Sequence, residues 1–175
     1  MNKLTIACVE ENLPFAKKVA RLAGVDLLPI KVTDFADGNR QRKFTRSIRG
    51  TDLFIIGSGH GTPPAGSAPR LEAMKYIIHS AKLASARLVT AVYRYLELRE
   101  DKKSTPRIDI SAVRWAKELV AAGSDRVIAM DLHAPQAVGF FDPIPVDHTF
   151  ASLNIIPFYR KKKIKNLVLV SPDVG

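Results

Sequence analysis

The sequence alternates short, continuously apolar runs with longer segments in which apolar residues recur at helical spacing. The runs Leu53–Ser58, Leu88–Tyr93 and Val127–Leu132 are apolar almost throughout. Strands that are buried on both faces lose the usual alternation of polar and apolar residues, and this is typical of parallel sheets. Between the runs, Arg70–Ala84 and Ile110–Ala122 have the spacing of helices. The pattern therefore predicts an α/β domain, with a parallel sheet covered on both faces by helices.

The remaining segments fit the same three-layer, Rossmann-like architecture. Asn12-Leu13-Pro14 predicts a helix start with proline in the first turn, and Gly24 predicts its end. Right-handed connections are expected throughout. Strands are predicted at Leu4–Cys8, Leu27–Val32 and Leu167–Val170, with a weakly alternating segment at Phe44–Ile48, a short helix at Phe150–Tyr159, and loops at Gly57–Ala68 and Glu97–Arg107.

The composition indicates one soluble globular domain. The chain has 175 residues, of which 46% are hydrophobic and 25% charged. No apolar run is long enough for a membrane span. Cys8 is the only cysteine, so an internal disulfide is excluded and a cytoplasmic location is expected.

The chain is strongly basic, with 27 Lys and Arg residues against 17 Asp and Glu residues and a net charge of +10. Such a surplus fits either nucleic acid or small phosphorylated ligands. No aromatic residues alternate with the cations, and no nucleic-acid-binding motif is present, so nucleic acid is the less favoured partner. The cations concentrate in Arg40–Arg49, Arg94–Arg107 and Arg160–Lys165, the last of which is interpreted as a solvated face.

Ligands of open parallel sheets bind at the carboxyl ends of the strands. His133 follows one such strand in Asp131-Leu132-His133, and Asp173 follows the last predicted strand. A histidine there can ligate a metal or donate to a phosphate, or it can simply cap a turn. A carboxylate together with phosphate oxygens suits Mg²⁺, although Asp173 could equally be an ordinary turn residue.

Two further loops have both a functional and an ordinary interpretation. Arg99–Lys103 is a dense charged loop that could clamp a polyphosphate or could be a solvated surface. Phe35–Asn39 follows a predicted strand and could be a simple turn or could offer an aromatic ring to an adenine. The sequence contains neither a Walker A motif nor G-x-G-x-x-G, so the common nucleotide-binding mechanisms lack their motifs.

Several motifs, in order and at compatible spacing, resemble one family. They are Phe35-Ala36-Asp37-Gly38, Ser47-Ile48-Arg49-Gly50, the stretch RVIAMDLHAPQAVGFFDPIPVDH at Arg126–His148, and Val170-Ser171-Pro172-Asp173-Val174-Gly175. Over essentially its whole length, the chain resembles the N-terminal half of ribose-phosphate diphosphokinase, also called phosphoribosyl pyrophosphate synthetase. The resemblance implies a phosphoribosyltransferase-like fold and a homo-oligomer. It also implies transfer of diphosphate from Mg-ATP to ribose 5-phosphate, which gives 5-phosphoribosyl 1-diphosphate and AMP.

The resemblance also implies roles for individual residues. Phe35 would stack on adenine, with Asp37 bonding its amino edge and Asn39 beside it. Arg99 and Glu100 occupy the positions of the loop that holds the ATP phosphates.

The other implied sites involve metal and regulation. His133 would be the catalytic residue and, with Asp173, would hold Mg²⁺. Ser47, Arg49 and Gln136 resemble positions around a regulatory phosphate site. The family's second domain, which grips ribose 5-phosphate, is absent from residues 1–175, so we expect the chain to be a fragment that is inactive alone.

The chain departs from the family pattern at some of these positions. Asn39 stands where the family usually has Glu, Glu100 where it has Gln, and Lys102 where it has Arg. These differences leave open a non-catalytic regulatory subunit of the same fold, and the basic surplus leaves open a nucleic-acid-binding domain.

Overall fold

Five parallel strands form the central sheet of this computed structural model, which describes residues 3–59, 68–96 and 99–171. The strands of the main sheet are β1 (Leu4–Cys8), β4 (Asp52–Gly57), β5 (Leu88–Tyr93), β6 (Arg126–Met130) and β7 (Val146–Thr149). Their order across the sheet is β1-β4-β5-β6-β7. The predicted α/β class with a parallel sheet is confirmed.

Helices cover both faces of the sheet. They are α1 (Leu13–Leu22), α2 (Ala68–Leu83) and α3 (Ser111–Ala121). A fourth helix, α4 (Ser152–Lys162), contributes no residue to the core, and 3₁₀ segments span Glu10–Asn12 and Pro135–Phe141. In β4, Leu53 and Ile55 face a core shared with α2 and α3, whereas Ile56 faces a smaller core with α1. Because successive strand residues point to opposite faces, one apolar run supplies both cores. This explains why the central strands lack polar alternation.

The α2 helix packs closely on the end of β4. Met74 and Ile78 of α2 are fully buried. A Cβ atom on Gly57 would collide with the Met74 side chain, so the absence of a side chain at this position permits the close approach. The contact places the start of the loop after β4 directly beside the core.

A two-stranded antiparallel ribbon projects between α1 and β4, and sequence reasoning missed it. Its strands are β2 (Ile30–Asp34) and β3 (Arg40–Phe44). The strand predicted at 27–32 is right only in its second half: Leu27 makes a single parallel bridge, to Ile6, and the strand proper begins at Ile30 and pairs with β3 instead of the parallel sheet. The weakly alternating segment predicted at Phe44–Ile48 shares only Phe44 with β3, whose sequence RQRKF has no apolar run to mark it.

The last part of the described chain is unusually exposed. Helix α4 has no buried residue. The predicted strand at Leu167–Val170 is wrong for this structure, because the segment joins neither sheet and Val170 is 87% exposed. Apolar sequence alone does not make a strand without a neighbouring strand to receive its hydrogen bonds. No described helix is both long enough and apolar enough to cross a membrane.

Candidate functional site

The loops that follow β4, β5 and β6 meet along the carboxyl edge of the sheet. The Gly59 N–H donates to the Tyr95 carbonyl at 2.7 Å, which joins the first two loops. The Gln136 amide donates to the Asp101 carboxylate at 3.2 Å, which joins the second and third. The predicted ligand edge is thus one connected surface.

His133 lies on this edge and is exposed, as the sequence predicted for a residue after a strand. Asp131, however, does not share a strand with it, because β6 ends at Met130 and Asp131 has a φ of +51°. The Asp131 carboxylate accepts from the Ala151 N–H at 3.3 Å, just before α4. Asp131 and His133 are therefore not neighbours on one face of an extended strand.

The segment around His133 is also fixed from β7. The Leu132 N–H donates to His148 Nε2 at 3.1 Å. The His148 ring packs against Phe150, with 4.3 Å between the ring centroids. His148 therefore holds the backbone beside His133.

The charged loop after β5 is seated on the protein at two points. Arg99 and Glu100 are exposed, whereas Asp101 is only 7% exposed. The Glu100 carbonyl accepts from the Ala112 N–H at 3.1 Å, at the first turn of α3. The loop is therefore more than a solvated surface, because its conformation is tied to a helix and to a buried carboxylate.

Phe35, Asp37 and Asn39 form the tip of the ribbon, not the carboxyl edge of the main sheet where the predicted parallel strand would have put them. Phe35 is 49% exposed. The Asp37 carboxylate accepts from the Asn39 N–H at 3.0 Å and from the Asn39 side-chain amide at 2.7 Å. These two hydrogen bonds stabilise the charged form and lower the pKa of Asp37. Asn39 thus donates a hydrogen bond to each carboxylate oxygen of Asp37. A Glu side chain at position 39 has no N–H group and could not donate the second of these bonds.

A cleft of about 600 Å³ separates the ribbon from α2. Phe35 and Asn39 line it on the ribbon side, and Tyr76, which is 61% exposed, lines it on the α2 side. Neither Arg99 nor His133 lines this cleft. Within one chain, the residues predicted for the base and those predicted for the phosphates therefore lie on different surfaces.

A second cleft, of about 460 Å³, is strongly basic. Ser47 and Arg49 line it together. Gln136 is not part of it and instead contacts Asp101. The other polar residues of its lining are Arg42, Lys43, Arg46 and Ser80.

The described residues contain no group of three histidine, cysteine or acidic side chains that could hold a metal ion. His133 offers an exposed imidazole at the edge. Asp173 lies outside the described residues. One or two protein groups suffice for Mg²⁺ when phosphate oxygens supply the other ligands. The donor set fits an ion that arrives with a phosphorylated substrate better than a closed protein cage.

Sequence reasoning missed two partly buried polar contacts that organise these surfaces. Arg42 donates to Glu10 at 2.9 Å and thereby ties the ribbon to the segment after β1. The second contact joins Gln136 to Asp101, which the sequence shows only as one member of a run of charged residues. Neither contact leaves a local signal, because each depends on a partner more than thirty residues away.

Comparison with known proteins places this arrangement in a family. A family model described as the N-terminal domain of ribose phosphate pyrophosphokinase matches residues 4–123. The chain belongs to the ribose-phosphate pyrophosphokinase family. It is 42% identical over 174 residues to the ribose-phosphate pyrophosphokinase of Chlorobaculum tepidum and 37% identical over 175 residues to that of Bacillus caldolyticus. The crystal structure of phosphoribosylpyrophosphate synthetase from Mycobacterium smegmatis superposes with a TM-score of 0.83 at 32% identity, over 93% of this chain and 53% of that one.

The extent of these matches is uneven. The alignments cover 98% and 99% of this chain but only 52% and 54% of the two pyrophosphokinases. The chain therefore spans about half the length of the relatives it matches. The resemblance to this family's N-terminal half, drawn from the motifs, is confirmed.

Proposed function

We propose that this chain supplies the ATP-binding half of a ribose-phosphate pyrophosphokinase. The reaction transfers diphosphate from Mg-ATP to the C1 hydroxyl of ribose 5-phosphate and releases AMP. The observation that carries the proposal is the connected carboxyl edge, which places an exposed histidine and a cationic loop on adjoining segments of a fold shared with this family. Such transfer depends mainly on positioning and charge neutralisation, and cationic loops supply both.

The edge residues have separate tasks in this proposal. Arg99 binds the ATP phosphates, since a guanidinium can donate two parallel hydrogen bonds to one phosphate. His133 and Asp173 hold Mg²⁺, whose charge offsets that of the phosphates during transfer. Glu100 is exposed and turns away from the anionic ligand, because a carboxylate beside phosphates would be repulsive.

The base end of the site belongs to the ribbon. Phe35 offers its half-exposed ring for stacking on adenine, and Tyr76 supplies a second aromatic surface in the same cleft. Asp37 bonds the amino edge of the base only if it gives up one of its two hydrogen bonds to Asn39. Replacing Asn39 by Glu frees the carboxylate from the side-chain amide, so we expect tighter ATP binding in Asn39→Glu.

The basic cleft serves regulation in this proposal. Ser47 and Arg49 bind a phosphate-bearing effector there, with Arg42, Lys43 and Arg46 supplying further positive charge. Inorganic phosphate should protect the chain thermally, and Arg49→Gln should weaken that protection.

A second domain completes the enzyme in this proposal. The exposed apolar side chains of α4 and of Leu167–Val170 would be covered by the remaining half that the relatives possess. Assembly into a homo-oligomer and a cytoplasmic location remain part of the proposal. Alone, the chain should bind Mg-ATP but should not form the diphosphate product.

A chimaera tests the function directly. Residues 1–175 are joined to the C-terminal half of the Chlorobaculum tepidum relative, and product formation is followed by phosphorus NMR. We expect activity in the chimaera, none in the chain alone, and a loss of at least about 100-fold in the chimaera carrying His133→Ala. His79→Ala, the same substitution at an exposed residue of α2, is the matched control. Activity of the 175-residue chain alone would refute the two-domain proposal.

Calorimetry with Mg-ATP addresses the main alternative. A folded chain that binds no Mg-ATP would favour a non-catalytic regulatory subunit. The hydrogen bond from Asn39 to Asp37 supports this alternative, because it occupies the carboxylate that would otherwise bind the base. Salt-dependent binding of DNA or RNA at physiological ionic strength would support the nucleic-acid alternative instead.

A further inference from the structure

Asp101 is the only charged residue that is buried among residues 3–59, 68–96 and 99–171. Its neighbours Arg99, Glu100, Lys102 and Lys103 are all exposed. Removing a carboxylate from water is costly unless it is hydrogen-bonded or paired. A run of charges would avoid this cost by keeping every member in solvent, so the inward orientation of Asp101 requires an explanation.

The contacts of Asp101 show what its burial accomplishes. Its Oδ2 accepts from the Gln136 side-chain amide at 3.2 Å, and its N–H donates to the Arg99 carbonyl at 2.9 Å. Among the residues that the structure describes, its Oδ1 is buried without a hydrogen-bond partner, so Gln136 supplies the one hydrogen bond seen for the side chain. The loop is thus turned tightly beside Arg99 and fastened to the 3₁₀ segment that begins two residues after His133.

We propose that the hydrogen bond between Asp101 and Gln136 is a positioning contact for the phosphate end of the nucleotide site. It holds the loop after β5 against the segment after β6, and so sets the separation between Arg99 and His133. Neither Asp101 nor Gln136 contacts the nucleotide in this proposal. It rests on the proposed function, and it moves Gln136 from the regulatory cleft to the carboxyl edge.

An exchange of donor and acceptor tests the contact. Gln136→Glu places a second carboxylate directly against the buried carboxylate of Asp101, which is repulsive. The double variant Asp101→Asn with Gln136→Glu restores one donor and one acceptor with the roles reversed. Hydrogen exchange reports the order of the loop through the Asp101 and Ala112 amides, and calorimetry reports the Kd for Mg-ATP, both on the 175-residue chain.

We expect Gln136→Glu to speed exchange of the loop amides by roughly tenfold and to raise the Mg-ATP Kd by roughly tenfold, which is the worth of one charge-assisted hydrogen bond. The double variant should return both quantities to within about threefold of wild type. Asn154→Asp, the same amide-to-carboxylate change on exposed α4, should leave both unchanged.

The outcomes separate this proposal from the proposed function. Unchanged loop exchange in Gln136→Glu, or no recovery in the double variant, would overturn the positioning contact. A merely structural role would lower the thermal midpoint and weaken binding in parallel, whereas loss of positioning changes loop exchange and Kd at an unchanged midpoint. If the wild-type chain binds no Mg-ATP, the result refutes the proposed function and with it the role of the contact in positioning phosphate. Amide exchange of the loop in the two variants then still tests whether the Asp101–Gln136 hydrogen bond orders the loop.

Discussion

The angle of the ribbon should depend on one ion pair. Arg42 in β3 donates to Glu10 at 2.9 Å, and their side chains are only 11% and 30% exposed. The other carboxylate oxygen of Glu10 is buried without a partner. Arg42→Met therefore removes the only hydrogen bond that the structure shows for this carboxylate. This loss should loosen the ribbon that carries Phe35.

The expected cost follows from the burial. Hydrogen bonds to charged groups contribute roughly 1.5–3 kcal/mol, and partial exposure favours the lower part, about 2 kcal/mol. For a chain of this length that corresponds to a fall of about 4–8 °C in Tm. Glu10→Gln added to Arg42→Met should recover about 1 kcal/mol, because the carboxylate then no longer carries an unpaired charge.

Urea denaturation of the two single variants and the double variant measures this coupling as a free energy of unfolding. Arg40→Met is the matched control, since the Arg40–Asp34 pair on the same ribbon is largely exposed and its loss should leave the urea midpoint unchanged. Strict additivity of Glu10→Gln and Arg42→Met would refute the argument, as would an equal effect of Arg40→Met.

Three further outcomes follow from the structure. Burial raises the pKa of the Cys8 thiol to about 11, so iodoacetamide should alkylate it at pH 8 about 200-fold more slowly than an ordinary thiol, and a rate like that of the urea-unfolded chain would contradict this. Gly123 has a φ of +102°, and a Cβ atom added there would lie 2.6 Å from Lys82 Cγ. Gly123→Ala should therefore lower the free energy of unfolding in urea by about 1–3 kcal/mol, whereas Gly139→Ala, which has open space around it, should change it little. Leu169 is 84% exposed, so Leu169→Glu should leave the Tm of the 175-residue chain unchanged, and a clear fall would show that the segment packs on the domain.

The two surfaces proposed for the nucleotide differ in how they are held. The carboxyl edge is tied by hydrogen bonds between successive loops, such as Gly59 to Tyr95. The ribbon depends on the Arg42–Glu10 pair and on its own turn. Disturbing the edge should therefore affect phosphate binding, whereas loosening the ribbon should affect discrimination between bases. Measuring the Kd for Mg-ATP and for inorganic triphosphate in the same variants separates the two effects.

The sequence by itself determined four strands of the main sheet, β1, β4, β5 and β6, and the order of the edge loops, but it did not predict the fifth strand, β7. Apolar runs such as Leu53–Ser58 can be satisfied only by burial on two faces, and residues after such strands must emerge at one edge. His133 could therefore be placed from the sequence alone. The family motifs added roles for residues whose local pattern, as at Phe35–Asn39, indicated no more than a turn.

Only the tertiary structure decided the ribbon, the last strand and the polar contacts. β3 is a run of charged residues that becomes a strand because β2 supplies its hydrogen bonds, and Leu167–Val170 remains outside both sheets because no neighbouring strand does. The burial of Asp101 likewise depends on Gln136, 35 residues away. Local sequence records what a segment prefers, but these features depend on partners that folding brings from elsewhere in the chain.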